Sequence, residues 1–176
     1  MERIHLISFK PIAGLLALFF FSGCGYGLRG TVNNLPPDIK AVSIPVFVNE
    51  TIEPGVEVVF ANALVYEFNR SGILKVVSES MAQAQVKGKI KSITADPVVL
   101  ANQTQATQRR VVVTLEVSCQ RSDDQKILWQ NPSLARDEVY AVTTDLNQTQ
   151  RNKDAAIAKI AQYLSEQIHN GILENF

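Results

Sequence analysis

The chain has 176 residues, 46% of them hydrophobic, and its 17 Lys and Arg balance 17 Asp and Glu. That length suits one domain with a modest core, and a neutral charge balance argues against a general nucleic-acid binder, which relies on many phosphate contacts. Two cysteines, two histidines and no H-E-x-x-H, G-x-S-x-G or phosphate-loop motif exclude the familiar hydrolase, metalloenzyme and nucleotidase layouts, so no enzyme, cofactor or metal is expected.

The N-terminus reads as a processing segment. Arg3 and Lys10 give a positive front, Ile12 to Phe21 are continuously apolar, and the small pair Ser22-Gly23 precedes Cys24. Such a run is too short for a membrane-spanning helix but matches the apolar region of a secretion signal. Phe-Ser-Gly-Cys resembles the lipobox of bacterial lipoproteins, although Phe21 replaces the usual leucine. That resemblance implies removal of residues 1–23 and fatty acylation, palmitate included, of Cys24. The alternative is an ordinary cleaved signal with a plain thiol. Several acyl chains at one residue would give a firm anchor, at about 0.8 kcal/mol per buried methylene. Gly25, in place of the aspartate of inner-membrane lipoproteins, points by resemblance to the outer membrane.

Gly25, Gly27 and Gly30 also spell G-x-G-x-x-G. A dinucleotide loop must open a helix, and Pro36 and Pro37 in "TVNNLPPDIK" forbid one. The glycines instead suit a flexible tether, residues 24–38. Without Arg3, Lys10 and Glu2 the charge is 15 minus 16, or −1.

Residues 39–176 read as one α+β domain. "IKAVSIPVFV" (39–48) is a strand, with Pro45 at an edge or bulge. A helix follows, with Pro54 in its first turn, Glu53 and Glu57 near its positive end, and Gly72 as its C-terminal cap. Its buried stripe is predicted as Val56, Val59, Phe60, Ala63, Leu64 and Phe68. "ILKVV" (73–77) is a short strand, parallel to the first through a crossover. In "AQVKGKIKSI" the period is two, with Val86 and Ile90 on one side and Lys87, Lys89 and Lys91 on the other. The polar stretch 94–108 reads as a loop. Val111, Val113, Leu115, Val117 and Cys119 form the apolar face of the next strand, which makes Cys119 a buried, inert thiol. "SDDQ" (122–125) turns the chain into "KILWQ", completing a hairpin. After Asn131-Pro132 the chain reads as irregular to about Asn152. The last segment is an amphipathic helix with Ile157, Ile160, Ala161, Leu164, Ile168 and Ile172 on one stripe. The expected architecture is two helices on one face of a mostly antiparallel, roughly four-stranded sheet.

Trp129, Phe47 and Phe68 read as core, and a buried Trp129 would need a partner for its indole donor. His169 reads as a helix-end residue facing the negative pole. The acidic pairs Asp123-Asp124 and Asp137-Glu138 read as solvated turn or loop carboxylates.

"CGYGLRG", "LPPDIKAVSIPVFVNETIEPGVEVVFANALVYEF", "VKGKI" and "VVVTLEVSCQ...KILWQNPSL", in that order, resemble the LptE family of lipopolysaccharide-assembly lipoproteins over residues 24–176. The resemblance implies a non-catalytic protein on the periplasmic face of the outer membrane, anchored at Cys24. There it would plug an LptD-like β-barrel, assist its assembly and engage lipopolysaccharide. Lys87, Lys89, Lys91, Arg109 and Arg110 are then candidates for lipid A phosphates, with Lys as a point charge and Arg as a fork. The competing reading is a solvated face whose lysines discourage edge pairing. The loop 95–108 could touch the barrel wall or stand free in water. The strand-helix start also resembles other envelope lipoproteins, which regulate peptidoglycan synthases or build secretion pores.

Overall fold

In the computed structural model the described residues are 34–100 and 106–174. The Cys24 lipidation site, the signal segment and the glycine stretch lie outside them. Short strands Ala41–Ser43 (β1), Val48–Asn49 (β2) and Lys75–Val76 (β3) accompany three long ones, Ala84–Leu100 (β4), Ala106–Arg121 (β5) and Ile127–Ala141 (β6). The helices are Val56–Ser71 (α1) and Leu146–Glu174 (α2). The sheet runs β3-β1-β4-β5-β6, with β2 also paired to β4. The long pairs β4–β5 and β5–β6 are antiparallel, whereas the short strands pair in parallel. The α+β class and the helical layer are as expected, but the sheet has six strands rather than four.

The layers meet where two periods coincide. Val111, Val113, Leu115, Val117 and Cys119 of β5 are all at most 1% exposed. Against them lies the α2 stripe Ile157, Ile160, Ala161, Leu164, Ile168 and Ile172, buried as its spacing predicts. Burial pushes the Cys119 thiol up to about 12, so it carries no thiolate near neutrality.

Helix α1 begins after Gly55 (φ 84°) and ends at Gly72 (φ 66°), whose N–H donates to the Phe68 carbonyl at 3.1 Å. Val56, Phe60, Leu64 and Phe68 are buried, but Val59 is exposed and Ala63 only half-buried. Glu67 joins the buried set instead, because Arg70 grips its carboxylate with a fork at 3.0 and 2.6 Å.

Four expectations need correction. The first strand is broken between Ser43 and Val48, where Pro45 offers no donor and Phe47 turns inward to stack on Phe60, centroids 6.4 Å apart. The 94–108 stretch is not a long loop: β4 continues to Leu100 and β5 starts at Ala106. There β4 and β5 pair beyond the core, so backbone hydrogen bonds hold them without apolar alternation, and bulges at Val98 and Thr107 disturb the period further. Residues 131–152 are not irregular either, since β6 runs to Ala141 and α2 starts at Leu146. Pro132 sits in a bulge of β6, where Asn131 Oδ1 accepts the Ser133 N–H at 3.0 Å. Asp145 Oδ1 accepts the N–H groups of Asn147 (2.8 Å) and Gln148 (3.3 Å), capping a first turn too polar to show a stripe. Finally, His169 lies near the end of α2 as expected, but it is packed in the core rather than set at the helix's negative pole. It is 5% exposed and meets Phe68 edge-on at 5.0 Å, with no partner for Nε2 among the described residues.

Of the stretch read as tether, residues 34–38 are described and docked. Asn34 donates its N–H to the Leu173 carbonyl at 2.7 Å and its amide to the Glu174 carbonyl at 2.8 Å. Leu35 is buried, and Asp38 takes the fork of Arg121.

Two glycines admit aromatic rings. On the inward side of β4, a Cβ at Gly88 would overlap the Phe47 ring. On α2, a Cβ at Gly171 would come within 2.7 Å of Trp129 Cζ2. We expect Gly88→Ala to displace Phe47 from its stack and destabilise the fold by about 1–3 kcal/mol. Denaturant unfolding of the purified chain would check this, and an unchanged midpoint would contradict it.

Candidate functional site

The sheet face away from the helices carries Lys87, Lys89, Lys91 and Arg110 of the basic residues found in the sequence. Alternation turns Lys87 and Lys89 outward while Val86, Gly88 and Ile90 point in. A bulge at Lys91 adds a residue to β4, and Lys91 meets the same acidic neighbours as Lys89. Glu50, just past β2, is positioned by its N–H, which donates to the Ile90 carbonyl at 3.0 Å. Its carboxylate lies 3.5 Å from Lys89 Nζ and 3.4 Å from Lys91 Nζ. Lys91 also lies 3.7 Å from Glu116, and Lys87 donates to Gln120 at 3.3 Å. These are long, half-solvated pairs that leave the ammonium groups free to exchange partners.

The structure brings Lys87, Lys89 and Lys91 together but does not add the arginines to them. Arg110 shares their face, six residues along β5 from Glu116, or about 20 Å at the rise of a strand. It pairs with Asp137 at 3.3 Å. Arg109 alternates onto the opposite face of the hairpin. Asp137 and Glu138 are β6 residues rather than loop carboxylates, and Glu138 accepts from Lys159 of α2 at 2.6 Å. Asp123 and Asp124 do sit in the turn before β6.

A second polar region was not visible in the sequence. Between β6 and α2 lies a cavity of about 440 Å³, lined among others by Trp129, Asn131, Tyr163, Glu166, Asn170 and Gly171. Its α2 wall uses residues three to four apart, a polar stripe beside the apolar one, and that spacing is the signal a reader could have used. Among the described residues, no group of three or more His, Cys, Asp or Glu could hold a metal ion, and no helix is long and apolar enough to cross a membrane.

A family model described as lipopolysaccharide-assembly, LptE, matches residues 39–172. The chain belongs to the LptE family. LptE-family proteins are non-enzymatic assembly lipoproteins of the outer membrane. Solved structures share the fold at low identity. Lipoprotein B from Nitrosomonas europaea aligns with TM-score 0.55 and 13% identity, covering 85% of this chain and 90% of its own. The minor lipoprotein from Acinetobacter baumannii gives TM-score 0.52 and 11% identity, covering 80% and 95%. The rare lipoprotein B from Shewanella oneidensis gives TM-score 0.52 and 11% identity, covering 77% and 96%. No curated protein matches the sequence.

Within this LptE-family fold the ionisation of Glu50 reports on the lysine cluster. Partial burial works to raise its pKa, but Lys89 and Lys91 together outweigh it and hold the carboxyl below its ordinary 4.5. A folded value lowered below 4.5 means the pairing contributes its full stability above pH 4.5 and loses it as pH falls from there through the lowered folded value. A side-chain carboxyl NMR titration should therefore give a Glu50 midpoint below 4.5. In Lys89→Ala/Lys91→Ala the midpoint should move upward, and an unmoved midpoint would show that the lysines do not act on Glu50.

Proposed function

We propose that this chain is held at the periplasmic face of the outer membrane by acyl groups on Cys24, after removal of residues 1–23. There its domain plugs an LptD-like β-barrel and assists the barrel's assembly for lipopolysaccharide transport. The family match over residues 39–172 carries this reading. The fold adds a physical reason. Its helices cover one face of the sheet, so the other is open to a partner. That open face is polar, with Lys87 opposite Ser118 and Ser118 opposite Gln130, and Lys89 opposite Glu116. Such side chains suit a hydrated barrel lumen better than a dry hydrophobic interface.

Lipopolysaccharide contact is assigned to Lys87, Lys89 and Lys91, with Arg109 and Arg110 as separate outlying charges. Three ammonium groups within one patch can meet lipid A phosphates by exchanging Glu50 and Glu116 for the ligand.

The decisive experiment is a pull-down of the full chain from detergent-solubilised outer membrane, with bound proteins identified. An outer-membrane barrel is expected, and recovery of a peptidoglycan synthase in its place would overturn the proposal. Metabolic labelling with palmitate should mark the wild-type chain and leave Cys24→Ala unmarked. Exchanging Lys87, Lys89 and Lys91 for glutamate should weaken lipopolysaccharide binding at low salt by at least tenfold. Unchanged affinity would remove the lysines from the site.

A further inference from the structure

We propose that residues 134–141 of β6 pair with the same strand of a second copy of this chain, antiparallel and across a two-fold axis at Asp137. β6 is the last strand of the sheet and has a neighbour on one side only. Its bonding to β5 fixes which groups point outward. The Val142 N–H donates to the Thr107 carbonyl at 2.9 Å, which makes that pair a hydrogen-bonded one. Antiparallel pairs alternate, and the register from Gln108↔Ala141 to Leu115↔Leu134 runs without a shift. Leu134, Arg136, Glu138 and Tyr140 therefore direct their N–H and C=O groups to β5, whereas Ala135, Asp137, Val139 and Ala141 aim theirs away from the sheet. Asn152 Nδ2, donating to the Ala141 carbonyl at 2.9 Å, agrees with that parity. Among the described residues none bonds to the outward groups of Ala135, Asp137 and Val139.

The other edges of the sheet are blunted in ways that prevent strand addition. β3 has two residues, and β4 beyond β2 carries Pro97 and bulges at Lys91 and Val98. The first half of β6 holds Pro132 in a bulge. The stretch 134–141 has neither device. Its charges Arg136 and Glu138 lie on the side of the buried Leu134 and Tyr140, so they select a strand that answers them.

The chain's own sequence answers them. Leu134-Ala135-Arg136-Asp137-Glu138-Val139-Tyr140 is chemically self-complementary about its middle residue. Laid antiparallel on itself, it sets Arg136 against Glu138 of the second copy, Leu134 against Tyr140 and Ala135 against Val139, each twice by symmetry. A two-fold axis keeps side chains on their own face, so it passes through a residue and not between two. At Arg136 or Glu138 it would oppose like charges on the helix side, and at Ala135 or Val139 it would leave Arg136 opposite no carboxylate. At Asp137 the like pair falls on the open face, where Arg110 lies 3.3 Å from the carboxylate. Ala135, Asp137 and Val139 then form about six N–H···O bonds across the axis, and the exposed Val139 is covered. This pairing is a state of the chain alone and does not rest on the barrel reading.

Sedimentation equilibrium of the full chain in a density-matched detergent should show a concentration-dependent monomer–dimer equilibrium. Arg136→Glu and Glu138→Arg each oppose like charges across the axis and should each weaken self-association at least tenfold. Both residues also meet α2, at Tyr163 and Lys159, so the two variants are then mixed. The mixed pair regains opposite charges and should dimerise, which chains misfolded by either substitution would not. Oxidation of Asp137→Cys should join two chains by a disulfide, since facing Cα atoms of a hydrogen-bonded pair lie about 5.5 Å apart. Ala141→Cys, about 27 Å from its counterpart along the ladder, should stay single. A wild type that remains monomeric overturns the proposal. So does either charge variant dimerising alone as the wild type does, a mixture that stays monomeric, or Asp137→Cys failing to cross-link.

Discussion

The seam between β5 and α2 is the constraint on which the rest of the fold depends. Five inward side chains of one strand, Val111 to Cys119, meet six side chains of a helix repeating every three to four residues. Because β5 is bonded on both sides along its length, the face it presents is fixed by its neighbours' register as well as by its own alternation. A slip of one residue would send the valines to water and Glu116 inward. The short parallel strands add little of their own, and Phe47, resting on Gly88 against Phe60, ties that edge to the same core.

Where one side of an element was buried, the sequence announced it. The stripes of α1 and α2, the apolar side of β5 and the lysine side of β4 were all readable, because a half-buried surface forces a period on the residues. Elements without such a surface were missed. Residues 94–98 of β4 and 107–110 of β5 are mostly exposed, the second half of β6 buries only Leu134 and Tyr140, and the first turn of α2 is largely exposed, so backbone pairing and the Asp145 cap define them. Val59 and His169 failed for another reason. Burial on a helix depends on what lies opposite, and Glu67 with its Arg70 fork took a place that hydrophobicity alone would have given to Val59.

The candidate site was legible in the same uneven way. Three lysines spaced by two share a strand face in any register, so their proximity followed from the sequence. That Arg110 lies farther along the face, and Arg109 on its reverse, depends on pairings between strands that local pattern does not encode. The cleft beside Trp129 is more remote still, because its walls come from residues some forty positions apart. Its lining is acidic and amide-rich while the lysine patch is basic, which divides the molecule into two regions of different chemistry.

Asn34, bonded to the Leu173 and Glu174 carbonyls, has a topological consequence. The polypeptide comes into the domain beside the point at which it leaves. A reporter placed next to Glu174 would therefore sit beside Asn34, whereas one inserted in the connection 142–145, at the opposite end of the 29-residue α2, would stand apart from both. The same neighbourliness would let Asn34 and Glu174 be joined by a short linker and the chain reopened at that connection.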